Sequence, residues 1–126
     1  MFEYITYKDK RGNDEFENWI KELAEKSKAS KHERIQLKKI FEYLEILRMN
    51  GTRAGEKYIK HLEGNIWELR PLENRILYAY WKDNIFILLH HFKKKTQKTP
   101  QREIQKAKNN LNDFLERNEI HYAKKN

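Results

Sequence analysis

Apolar residues recur along the chain in two rhythms, and the switch between them separates helical from strand regions. Phe16, Trp19, Ile20 and Leu23 follow one another at three- and four-residue steps or beside such a step, which places them on one face of a helix. After a break near residues 28–30, Leu37, Ile40, Phe41, Leu44 and Leu47 form a second stripe of the same kind. Ser30 with Glu33 three residues later is a capping-box pattern that starts this second helix, and Asn50-Gly51 ends it. Both stripes read as core. Ahead of them, residues 2–8 alternate loosely as a strand does, and Asp9-Lys10-Arg11-Gly12-Asn13 supplies a turn.

The rhythm then shortens. Residues 58–62, 66–69, 76–81 and 85–92 are brief runs rich in aromatic and β-branched side chains. Gly64-Asn65, Glu73-Asn74 and Lys82-Asp83-Asn84 separate them, each in a turn-rich segment of hairpin size, so the runs predict an antiparallel meander. Thr99-Pro100 opens a last helix, with Thr as N-cap and Pro at the first helical position. Ile104, Ala107, Leu111, Phe114 and Leu115 form its inner face. The order β-α-α-β-β-β-β-α predicts an α+β domain: an N-terminal strand, a helical hairpin, an antiparallel sheet of about four further strands, and a C-terminal helix. The helices are expected on one face of the sheet, leaving the other face free for a ligand. No repeat, Pro/Ser-rich linker or low-complexity tract interrupts this pattern. Residues 1–120 therefore read as a single domain and 121–126 as a tail that frays.

Composition adds a partner class. The 126 residues are 38% hydrophobic and 37% charged, but 6 Phe, 7 Tyr and 3 Trp supply large apolar areas for a core. Lys and Arg number 27 against 19 acidic residues, a formal net charge of +8. Between residues 93 and 108 stand seven Lys/Arg and one acid, Glu103, a net +6 in one short segment. Charge so localised has the form of a phosphate footprint. With no cysteine in the chain, disulfides and thiolate chemistry are excluded and a cytoplasmic protein is expected. No signal peptide is evident at the N-terminus, and the longest apolar run, residues 85–89, is far too short to span a membrane.

Most familiar catalytic signatures are missing. Gly12, Gly51, Gly55 and Gly64 are scattered and build no phosphate loop, and the five histidines lack the spacing of a zinc motif. No metal and no cofactor is expected. His90 and His91, adjacent on a strand, must point to opposite faces, and one of them reads as structural. What remains is the stretch from Lys60 to Pro100. Arg70 closes one strand and Arg75 opens the next across a short turn, while Lys93, Lys94 and Lys95 leave the last strand. Alternation sets Glu68 and Arg70 on one face and Trp67 and Leu69 on the other. With the apolar pair turned to the helices, Arg70, Arg75 and one or two of the lysines converge in an open groove. Such a cluster suits cleavage of RNA by its own 2′-hydroxyl, because Arg forks and Lys point charges stabilise the extra charge of the phosphorane. The plainer reading is that Arg70 and Arg75 pair with Glu68 and Glu73 at the surface.

Three segments carry a resemblance. They are His61-Leu62-Glu63-Gly64-Asn65-Ile66-Trp67-Glu68-Leu69-Arg70, then Asn74-Arg75-Ile76-Leu77-Tyr78, then Leu89 through Pro100 with its run F-K-K-K-T-Q-K-T-P, followed by Glu103, Ile104 and Ala107. Together they resemble the RelE/ParE toxin superfamily, and within it the HigB-like, phage-derived branch of type II toxin–antitoxin systems. The resemblance covers roughly residues 56–115. It implies a RelE-like domain that enters the ribosomal A site and cleaves mRNA there, with a cognate antitoxin, usually a helix-turn-helix protein, as partner. It also implies that Arg75 contacts the scissile phosphate, with Lys94 or Lys93 and Arg70 beside it. Lys60, His61, Lys95 and Lys98 are expected to bind the RNA. Two departures stand out: Ile66 and Glu68 occupy a strand where some relatives carry lysines, and the position of a late tyrosine used by some members falls near Pro100. Proton transfer therefore rests with Glu68 or a histidine (His90, His91 or His61), since imidazole titrates near neutrality. The alternative within the same fold is a ParE-like toxin that inhibits DNA gyrase without cutting nucleic acid. A general nucleic-acid-binding module accounts for the charge but not for the motifs.

Overall fold

The computed structural model describes the backbone of residues 1–125 and the side chains of residues 1–118. Its elements, in order, are β1 (Glu3–Thr6), α1 (Glu15–Ser27), α2 (Lys31–Asn50), a single 3-10 turn (Gly51–Arg53), β2 (Ile59–Glu63), β3 (Ile66–Leu69), β4 (Asn74–Lys82), β5 (Ile85–Lys93) and α3 (Gln101–Lys125). Of the residues expected to fray, 121–125 continue α3 in backbone, and Asn126 lies outside the described residues.

The helix starts follow local chemistry. Ser30 caps α2 by accepting from the Glu33 N–H, while its own N–H goes to the Lys26 carbonyl rather than to Glu33. Asp14 caps α1 through the Glu17 N–H and also accepts from the Thr6 hydroxyl, joining the helix to β1. At the end of α2, Gly51 takes φ 58°, and Phe2 packs where a side chain would begin: a Cβ there would lie 2.6 Å from the phenyl ring. The expected cap of α3 differs. Ile104 bonds to the Pro100 carbonyl, so Pro100 holds the cap position and the Thr99 hydroxyl is turned elsewhere.

The strands form one mixed sheet in the order β1-β5-β4-β3-β2. β2 to β5 are antiparallel neighbours as the meander predicts, and β1 adds to the far edge parallel to β5. One face carries Ile59, Leu69, Ile76, Tyr78, Phe86 and Leu88 against Leu23 of α1 and Ile40, Leu44 and Leu47 of α2. Phe41, expected in that stripe, is 48% exposed, because it sits a third of a turn away from Ile40 on the helix.

The opposite face is not free. Ile66, Leu77, Ala79, Ile87 and Leu89 pack there against Ala107, Leu111 and Phe114 of α3. Lys108 and Gln101 bond to Glu63 at 2.6 and 2.8 Å, and Asp113 accepts from the Tyr7 hydroxyl at 2.6 Å, fixing α3 across the sheet at both ends. Covering on both faces explains why β4 and β5 contain unbroken apolar runs rather than alternation. What α3 leaves open is a groove at its N-terminal end, where the loop from β5 crosses the mouths of β3 and β4.

A β-bulge sits in this core. Leu77 pairs with His90 but Tyr78 pairs with Leu88, so Leu89 is an extra residue in β5. Leu89 and His90 consequently both face α3, although they are consecutive.

Candidate functional site

The groove is a cavity of about 300 Å³. Lys60 of β2, Glu68 of β3, Arg70, Arg75 of β4, and Lys93, Lys94, Lys95 and Lys98 all line it, so eight of the residues singled out in the sequence meet in one place. The short turn between Arg70 and Arg75 brings the two guanidiniums to one end of a hairpin. The β5–α3 loop then lays its lysines alongside, anchored by the Lys94 N–H to the Glu73 carbonyl at 2.7 Å.

Glu68 lies at the bottom of this cluster rather than open to solvent, at 2% exposure. Its Oε1 accepts from the Thr99 hydroxyl at 2.7 Å and lies 3.7 Å from Arg75 Nε, while its Oε2 lies 3.9 Å from Arg70 Nε. A buried carboxylate requires such partners, and this need takes Thr99 away from helix capping. Arg75 is also buried, and its Nη1 donates to the carbonyls of Leu72 and Asn74 at 2.8 and 2.7 Å. Leu72 holds φ 57°, a left-handed conformation unusual for leucine, and the arginine braces that turn. Burial lowers the Arg75 pKa and the Glu68 charge offsets part of that; a guanidinium remains charged regardless. Arg70 is more open, with Nη1 donating to the Glu56 carbonyl at 3.1 Å.

The histidines fall elsewhere. His61 pairs with Trp67 across β2 and β3, tilted against its ring at 4.9 Å, with Nε2 2.8 Å from the Gly64 carbonyl, and does not line the groove. His91 faces α1, where it stacks on Trp19 at 4.1 Å with a 7° interplanar angle. Burial, and next to it the neighbouring His90, lower its pKa to about 4. His90 is buried beneath the groove with Nε2 3.2 Å from Glu103 Oε2. Burial is also the main cause of its lowered pKa, opposed by Glu103.

Seven groove residues were not picked out from the sequence as site residues: Phe92, Thr96, Gln97, Thr99, Pro100, Arg102 and Glu103. Arg102 had a visible signal in the basic run, but Thr99 and Glu103 depend on how α3 docks. Among the described residues no group of three or more His, Asp or Glu is placed to hold a metal ion, and no helix is long and apolar enough to cross a membrane.

The cluster sits on the segment that carries the most specific sequence motifs, and there a family match decides. The sequence model of the phage-derived Gp49-like proteins (DUF891) matches residues 18–112. The chain belongs to the Gp49-like family. The match runs from α1 through the first half of α3, so it takes in every groove-lining residue of this Gp49-like chain. No curated protein matches it.

Proposed function

We propose that this Gp49-like protein is the toxin of a type II toxin–antitoxin system, of the HigB-like kind, and that it is a ribosome-dependent mRNA endonuclease. The observation that carries the reading is the gathering of Arg70, Arg75, Lys93 and Lys94 around one groove, which Lys60, Lys95 and Lys98 also line. An attacking 2′-hydroxyl turns the scissile phosphodiester into a phosphorane with added negative charge, and fixed cations stabilise that charge most where water is partly excluded. Arg75 is the most closely held of them, buried against Glu68 and the Leu72 and Asn74 carbonyls, and Lys60, Lys95 and Lys98 are suited to neutralising flanking phosphates. The working place is the cytoplasm, in the ribosomal A site, and the neutralising partner is a cognate helix-turn-helix antitoxin.

The test is primer extension on a defined mRNA incubated with the purified protein, with and without ribosomes. Cuts inside the translated frame that need ribosomes are expected. Absence of cuts together with loss of gyrase supercoiling would give the function to the ParE-like alternative.

A further inference from the structure

The groove holds a second carboxylate, and unlike Glu68 it is not enclosed by the arginines. Glu103 stands in the first turn of α3 with its side chain 17% exposed and lines the cavity. One oxygen, Oε2, is 3.2 Å from His90 Nε2, which leaves Oε1 without a protein partner among the described residues. His90 is deeply buried, at 6% side-chain exposure, and its Nδ1 has no hydrogen-bond partner among the described residues. A neutral imidazole beside a carboxylate carries its proton on the nitrogen that faces the oxygen, so Nε2 donates and Nδ1 keeps a bare lone pair. Leaving such an acceptor unpaired in a core costs roughly 1–3 kcal/mol. A buried polar atom maintained against that cost calls for a reason, and among the described residues the ring's one hydrogen bond is to Glu103.

We propose that Glu103 is the general base of the cleavage reaction and that His90 is a positioning residue that holds its carboxylate toward the groove. The inference rests on the endonuclease reading above. Glu68 and Glu103 are the two carboxylates of the lining, and the other charged groups there are Lys and Arg, which are donors with no acceptor. Glu68 is already engaged by Thr99 and two arginines. His61 and His91 do not reach the groove. Glu103 thus supplies the proton acceptor that the cations lack.

In the step, Oε1 of Glu103 takes the proton of the ribose 2′-hydroxyl. The 2′-oxygen forms a bond to phosphorus, the P–O5′ bond breaks, and the departing O5′ takes a proton from water. The products are a 2′,3′-cyclic phosphate and a 5′-hydroxyl, and Glu103 returns its proton to solvent.

The experiment is single-turnover cleavage on programmed ribosomes, run beside binding of the same ribosomes carrying an mRNA with 2′-deoxy substitution at the cut site. Glu103→Gln is expected to slow cleavage at least about 100-fold, with binding of the uncleavable mRNA complex unchanged, and Glu103→Asp to retain measurable cleavage. His90→Leu removes the donor and should slow cleavage by about tenfold, within the range a misplaced catalytic group loses. His90→Gln, which offers an amide N–H to the same oxygen, should recover much of that. Cleavage by Glu103→Gln at the wild-type rate overturns the proposal while leaving the endonuclease reading intact, as does an equal loss in His90→Leu and His90→Gln with unchanged melting temperatures. If the wild-type protein makes no cut with or without ribosomes, the reading and the inference fall together.

Discussion

Arg75 and Lys94 line the same groove but differ in what holds them, and this separates the effects of removing each. Arg75 is buried against Glu68 and two turn carbonyls. Its replacement by alanine should abolish toxicity and also lower stability by about 3 kcal/mol, since a buried carboxylate is left short of its counter-charge. Lys94 has no side-chain partner among the described residues, so Lys94→Ala should remove toxicity with a urea midpoint close to wild type. Paired growth assays and urea melts check both outcomes. His91 gives a different kind of prediction. Its folded pKa of about 4 lies below the ordinary imidazole value, so between those two pH values the unfolded chain binds more protons than the folded one. Stability is then complete above about pH 6.5 and falls as pH drops toward 4, by about 3 kcal/mol over that window. His91→Phe, which retains a ring for Trp19 to stack on, should flatten this part of the stability–pH curve.

At the scale of elements, the end of α2 is the tightest constraint. Gly51→Ala meets both an unfavourable backbone conformation and the Phe2 ring, and is expected to lower stability by about 2 kcal/mol or more in urea unfolding. The elements themselves were legible in the sequence because their signals are local: the stripes of α1 and α2, the Ser30 cap, the hairpin turns. The convergence of Arg70, Arg75 and Lys93–Lys95 was legible too, since a four-residue turn and one strand pairing determine it. Contacts between distant elements were not. The expected free face overlooked the unbroken run Ile76-Leu77-Tyr78-Ala79, whose lack of alternation fits cover on both faces, though nothing in it names α3 as the cover. The Glu103–His90 contact needs both that docking and a change of phase in β5, and the Thr99–Glu68 bond needs a buried carboxylate whose burial is set by the same helix.

For the molecule as a whole, the groove stands out in charge: its lining carries eight Lys or Arg against two Glu, a net +6 beside the chain's +8. Affinity for single-stranded RNA should therefore fall linearly on a logarithmic salt axis, with a slope near −0.7 for each phosphate neutralised. Lys95→Gln and Lys98→Gln should each lower that slope by up to about 0.7, as read from fluorescence anisotropy across a salt series.

The extra residue at Leu89 has a meaning beyond local geometry. A strand is a two-valued counter, and inserting one step inverts every value after it. Read from Ile87 onward without the bulge, His91 would look toward Glu103 and His90 toward Trp19; with it, the assignments are exchanged. Two neighbouring histidines of identical chemistry are thus given opposite tasks by parity alone. A change of chain length by one residue in β5 is, for this protein, an exchange of the α1–α2 side of the sheet for the α3 side. Deleting Leu89 should disable the groove more completely than substituting either histidine, even though no charged or titratable group is lost.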